Sequence, residues 1–160
     1  MKKRIHFLTQ SALIAALYVV LTGVSALLGL SSGTIQLRLG EVLTVLPFLT
    51  PAAIPGVTVG CLLANILTGA LPWDVVFGTL ATLIGAVGTY LLRRAHFTLA
   101  PIPPILANAL IIPLVLQKVY GVADTYPFLV LTVGIGEILS CGVLGIILLR
   151  ALRGRRLFPS

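Results

Sequence analysis

"IQLRLGEVLTVLP", residues 35–47, sets Arg38 and Glu41 three positions apart among leucine, valine and isoleucine. The chain around it is 58% hydrophobic and 9% charged, so each charge in an apolar run demands a reason. Outward from this stretch, apolar runs at 11–30, 42–71, 75–92 and 127–149 approach or exceed the ~18–20 residues a helix needs to cross a bilayer. A mean hydropathy of +1.13 points the same way. Membrane β-barrels would show ~10-residue alternating segments, and none is present. The reading is all-α: a polytopic membrane protein forming a single domain over residues 1–160.

A net charge of +7 invites a nucleic-acid reading, but the distribution of charge argues against it. Lys2, Lys3 and Arg4 open the chain, Arg93 and Arg94 interrupt it, and Arg150, Arg153, Arg155 and Arg156 close it. These clusters flank apolar runs, as cytoplasmic loops do under the positive-inside rule. No basic patch interleaved with aromatics appears, so nucleic acid is set aside as a partner. Cys61 and Cys141 fall within apolar runs and read as small hydrophobes rather than as a disulfide or metal site. The basic start, apolar stretch and Val24-Ser25-Ala26 end mimic a signal peptide. The long apolar run and the membrane segments after it favour a retained first helix.

Six spans are expected, at about 8–28, 35–50, 55–70, 74–92, 104–118 and 127–150. The second is short, with Pro47 inside it and Pro51 after it. Pro72-Trp73-Asp74 reads as a tight turn with Asp74 capping the next helix. Six spans place both termini on one side. With Lys2–Arg4 cytoplasmic (N-in/C-in), nine of the eleven basic residues lie inside, leaving Arg38 and Lys118. Small residues allow close helix approach, and Gly78, Gly85, Gly88, Gly134, Gly136, Gly142 and Gly145 read mainly as internal packing. Ala12-x-x-x-Ala16 on the first helix is the candidate surface for an outside partner.

An ionisable group at membrane depth costs at least ~2.5–3.5 kcal/mol on insertion scales. Arg38 and Glu41 share one face if helical, and either pair locally at the interface or line a polar cavity opening outward. Glu137, about ten residues into the last span, has no basic residue within a turn. It needs a dry site in which it carries no charge, or a wet cavity or ligand. Asn65 and Asn108 serve a ligand or a helix–helix hydrogen bond. Asp74 and Trp73 are cap and interface anchor, or a ligand's cationic and stacking partners. Tyr120, Asp124 and Tyr126 read as a solvated outer turn, and Gln117 and Lys118 as an interfacial helix end. There is no G-x-x-x-x-G-K-[ST] loop, H-E-x-x-H or G-x-S-x-G, so nucleotide hydrolysis by that route is not encoded and an intramembrane enzyme has few candidate parts.

Four stretches carry a resemblance over nearly the whole chain: "IQLRLGEVLTVLPFLTPAAIPGVTVGCLLANILTG", "WDVVFGTLATLIGAVGTYLLRR", "PPILANALIIPLVL" and "VGIGEILSCGVLG". With their R-x-x-E, P-x-x-I-P-G and N progression, they resemble the QueT family. These are substrate-capturing S components of energy-coupling-factor (ECF) transporters. The resemblance implies a six-helix, N-in/C-in bundle in the cytoplasmic membrane of a prokaryote. It implies a queuosine precursor, a deazaguanine-type base, bound near the outer face. It also implies partners, a transmembrane scaffold subunit docking on Ala12 and Ala16 and two ATPase subunits, with no cofactor or metal in this chain. A guanine-like edge offers adjacent donors and a carbonyl acceptor. Glu137 or Glu41 would grip the donors, while Asn65, Asn108 and Arg38 complement them. Trp73 or a tyrosine would stack, and Asp74 would neutralise an aminomethyl group. The rival readings are an S component for another vitamin and a proton-coupled secondary carrier using Glu137.

Overall fold

A computed structural model describes residues 2–31 and 35–153. Most of the polar turn at 31–34, together with Arg155 and Arg156, falls outside the described residues. Helix α1 is Lys2–Leu27, followed by a 3₁₀ helix, Leu39–Phe48. Then come α2 (Ala53–Leu67), α3 (Pro72–Leu91) and α4 (Ile102–Lys118). Helix α5, Tyr126–Glu137, continues through a π-helical turn, Ile138–Leu144, into α6, Gly145–Arg153. No strand occurs among the described residues. Four helical stretches are long and apolar enough to cross a membrane: Lys3–Leu27, Pro72–Arg94, Phe97–Lys118 and Tyr126–Arg153. Leu39–Phe48 and Ala53–Leu67 are shorter apolar helices.

The short second segment still runs from one end of the bundle to the other. Near its start, Leu39 N–H donates to Ser25 Oγ at 2.8 Å; past its end, Thr50 Oγ1 donates to Gln10 Oε1 at 3.2 Å. On α1 those partners stand about 22 Å apart, at ~1.5 Å per residue. Ten residues of α-helix would reach only ~15 Å, whereas the 3₁₀ rise of ~2.0 Å carries them ~20 Å. Pro47, which has no N–H to donate, and the Thr44 hydroxyl, bonded back to Glu41 O at 2.6 Å, both suit an irregular, stretched helix. This corrects the expected α-helical start near residue 35: Arg38 is extended (φ −104°, ψ 103°) and stands outside the helix. Arg38 and Glu41 therefore do not share a helix face.

The helices alternate in direction, so the bundle has two ends of opposite character. One end gathers the starts of α1, α2 and α4 with the ends of α3 and α6. Ser11 Oγ donates to Ala52 O at 2.8 Å, and the Arg150 and Arg153 guanidinium carbons lie 5.6 and 5.1 Å from the Phe97 ring. Lys3, Arg4, Arg93, Arg94, Arg150 and Arg153 all belong to this end. The other end carries Arg38, Asp74, Lys118 and Asp124. Asp74 is not the cap expected from the sequence: extended Leu71 precedes α3, and Pro72 opens it. Asp74 stands inside the first turn, where the unpaired N–H groups still favour a carboxylate.

Packing depends on a few close approaches. Ile14 and Tyr18 of α1, Leu43 and Leu46 of the 3₁₀ helix, and Ala53, Val57, Cys61 and Ala64 of α2 form the main core. Gly60 lets α1 and α2 touch: a Cβ there would stand 2.7 Å from Tyr18 Cβ and 3.0 Å from Ala15 O. Gly85 and Gly88 receive Pro104 and Pro103, joining α3 to α4, as their small-residue pattern foretold. Ala12 and Ala16, in contrast, are exposed on α1. Gly60→Ala should lower the melting midpoint of the detergent-solubilised protein, with a destabilisation of about 1–3 kcal/mol from overpacking. Gly23→Ala, where a Cβ meets nothing within 4 Å, should match or exceed wild type.

Candidate functional site

At the end opposite the basic clusters, the bundle opens into a cavity of about 370 Å³. Thr22, Arg38, Asn65, Thr68, Asp74 and Tyr120 give it a polar wall. They come from five pieces of local structure, Asn65 and Thr68 sharing the end of α2. Arg38 projects from the extended residues before the 3₁₀ helix, and this strand is pressed against α5, where Gly136 leaves room for the Gln36 carbonyl. Asn65 and Asp74 face each other across the α2–α3 turn, and Gly78 keeps their space open: a Cβ there would lie 3.1 Å from Asn65 Nδ2. Tyr120 OH donates to Asp74 Oδ2 at 2.8 Å and accepts from Leu71 N–H at 3.2 Å. Partial burial pushes the Tyr120 phenol above its ordinary range, so it remains a donor to Asp74 at neutral pH.

Two polar groups in this wall lack partners. The Thr22 hydroxyl oxygen is buried and makes no hydrogen bond. The Arg38 guanidinium has no hydrogen bond or ion pair among the described residues, although Asp74, Glu41 and Glu137 all act on it electrostatically. Buried polar groups are nearly always paired, so an unpaired donor facing a cavity marks where a ligand's acceptors belong.

Glu41, Asn108 and Glu137 are brought together elsewhere, in the buried centre. Tyr18 OH donates to Glu41 Oε1, and Asn108 Nδ2 donates to Glu41 Oε2 at 3.3 Å. Cys141 Sγ donates to Glu137 Oε2 at 3.1 Å and also lies 3.3 Å from Glu41 O. Thr44 Oγ1 completes the group, 3.2 Å from Cys141 Sγ. The Glu41, Glu137 and Cys141 ligand atoms all lie within 4.8 Å of one another, close enough to hold a cation. Their chemistry fits one poorly, because hard carboxylates and a soft thiol select different metals. Much of their hydrogen-bonding capacity is also already spent on Tyr18, Asn108 and each other. The arrangement reads as a structural polar knot, and it forms where α5 passes into the π-helical turn. Such turns are frequent at functional positions.

The sequence-derived candidates thus divide. Arg38, Asn65 and Asp74 share the cavity; Glu41, Asn108 and Glu137 share the knot. Trp73 joins neither: it is 62% exposed and stacks on Phe77 at 6.0 Å.

The QueT transporter family matches residues 8–154. The chain belongs to that family. Its members are transporters, not enzymes. The Queuosine precursor transporter QueT of Lactococcus lactis subsp. cremoris (strain MG1363) is 38% identical over 84 residues, 52% of this chain and 48% of that protein. The chain therefore spans about half the length of the curated relative it matches. No solved structure matches.

Three expectations for this QueT-family chain need correction. Cys141 is not simply a small hydrophobe; its thiol ties Glu41 to Glu137. The 120–126 turn is not merely solvated, since Tyr120 holds Asp74 and Tyr126 OH donates to Leu110 O at 2.9 Å. Glu41 and Arg38, expected on one rim, occupy different sites. Thr22, Tyr18 and Tyr120 were missed; a lone Tyr and Thr four residues apart in apolar α1 were the available signal. Removing the donor that Tyr18 gives to a buried carboxylate should cost about 1–3 kcal/mol. In thermal melts Tyr18→Phe should therefore be clearly destabilised, and Tyr18→Phe with Glu41→Gln should deviate from additivity, as direct partners do.

Proposed function

We propose that this chain is the substrate-capturing subunit of an ECF-type importer. It binds a queuosine precursor, a deazaguanine-type base, from the outer face of a prokaryotic cytoplasmic membrane. The observation that carries this reading is the cavity's position. It opens at the end of the bundle opposite the described basic clusters, which the positive-inside rule assigns to the cytoplasm. In this reading the chain is one domain with six membrane passages and both termini inside. The 3₁₀ passage is shielded by its neighbours, whereas α2 presents Val59, Leu62, Leu63, Ile66 and Leu67 outward with the four long helices.

The cavity's chemistry suits a planar heterocycle with separate donor and acceptor edges. Arg38 and Thr22 present unpaired donors to a ring carbonyl, and Asp74 with the Asn65 amide receives ring N–H or an aminomethyl group. The family relative's printed name, a queuosine precursor transporter, supports this class over other vitamins. Energy would come from partners: a transmembrane scaffold subunit docked on the exposed Ala12/Ala16 face and two ATPase subunits. The buried Glu41–Glu137 pair favours a second reading, a proton-coupled carrier. Uptake by this chain alone in vesicles, without ATPase partners, would establish that rival.

Binding of deazaguanine precursors and a panel of vitamins to the detergent-purified protein, followed by calorimetry, is the direct test. Arg38→Gln and Asp74→Asn should each weaken precursor binding roughly 10- to 100-fold, the range for losing a charge-assisted hydrogen bond. Trp73→Ala should stay near wild type. Unchanged affinity in both charge variants, with melting midpoints intact, would overturn the cavity as the site.

A further inference from the structure

Two residues conspicuous in the sequence are left unused by the cavity: Trp73, and Lys118, the basic residue that the positive-inside pattern does not explain. Both belong to one groove. Between α3 and α4 lies a depression of about 400 Å³ lined by Phe77, Leu80, Leu114, Val115 and neighbouring apolar side chains, with Lys118 its only charged residue. Lys118 is the last residue of α4, is exposed, and has no hydrogen bond or ion pair among the described residues. Trp73 stands at the start of α3, at the same end, and stacks on Phe77 in the groove wall. From Lys118 back to Ile111 the groove follows about 10 Å of helix toward the centre of the bundle.

The order of chemistry along this groove is that of a phospholipid. A cation and an exposed indole stand where the headgroups lie, and an unbroken apolar trough runs below them. An exposed lysine with no partner in its own chain can reach a phosphate without first breaking an ion pair. We propose that this groove binds one anionic phospholipid, its phosphate paired with Lys118 and an acyl chain laid along Phe77, Leu80 and Leu114. The proposal rests on the chain's crossing a bilayer, but not on the identity of the transported molecule.

Native mass spectrometry of the protein released from nanodiscs of mixed phosphatidylglycerol and phosphatidylcholine tests it. Wild type should retain one phosphatidylglycerol per chain. Lys118→Gln should reduce that retention about fivefold, the weight of one basic side chain near an anionic surface. Leu114→Trp, which fills the trough at a surface position, should abolish it, while Arg94→Gln at the opposite end should not change it. Retention by Lys118→Gln or Leu114→Trp at the wild-type level overturns the proposal, as does an equal loss in Arg94→Gln. So does a Leu114→Cys crosslink showing that a partner subunit covers the groove in the assembled transporter. Failure of the wild type to enter nanodiscs at all would instead remove the membrane-spanning reading itself, a separately observable result.

Discussion

The structure turns on ten residues that must traverse the bundle while carrying a carboxylate through its dry centre. An α-helix of that length is too short, and the 3₁₀ geometry supplies the missing reach. The same stretching eclipses residues three apart, so Glu41, Thr44 and Pro47 fall in one row. That row faces Cys141 of the π-helical turn, and the two irregular helices meet there. Burying Glu41 would cost several kcal/mol unpaired. Tyr18 from α1 and Asn108 from α4 offset that cost by donating to both oxygens, and so three separate passages are tied to one carboxylate.

This knot limits where a ligand can bind. Both Glu41 oxygens and the Cys141 thiol are committed within it, whereas Thr22 and Arg38 in the cavity are not. Above it, Thr22 and Arg38 are unpartnered and Asp74 keeps a single strong donor from Tyr120. The two clusters differ in readiness rather than in composition. A molecule entering the cavity gains hydrogen bonds without displacing protein partners. A molecule entering the knot would first have to undo Tyr18–Glu41 and Asn108–Glu41.

Much of the fold was legible because it follows from hydropathy and small-residue spacing. The apolar runs became helices, Gly85 and Gly88 did serve internal packing, and the Ala12/Ala16 face is exposed. What the sequence hid was helix type. Periodicity distinguishes 3.6 from 2, but in an almost wholly apolar ten-residue run it cannot separate a 3₁₀ from an α-helix, and that difference moved Arg38 off Glu41's face. The candidate residues were identified by the cost of placing polar atoms in an apolar segment, which finds them but does not group them. Grouping depended on tertiary neighbours: Gly78 clearing space between Asn65 and Asp74, and Tyr120 reaching back across 46 residues. Trp73 had two readings from the outset, since an indole serves an interface as readily as a ligand.

Arg38 connects the cavity and the knot. Its guanidinium feels Asp74 in the cavity and Glu41 in the knot, yet hydrogen-bonds to neither side chain. Its backbone is pinned, with Leu39 N–H on Ser25 and the Gln36 carbonyl seated against Gly136, so the root of the side chain is held at the boundary by the chain rather than by an ion pair. A cation fixed in that way is preorganised: an arriving acceptor neither breaks a salt bridge nor orders a loose segment, and those are the terms that usually erode affinity. Asp74 on the cavity side compensates the charge electrostatically while leaving its donors free. That separation of compensation from hydrogen bonding is why the Arg38 and Glu41 side chains of "IQLRLGEVLTVLP" stay apart, although Glu41 N–H donates to Arg38 O at 3.0 Å.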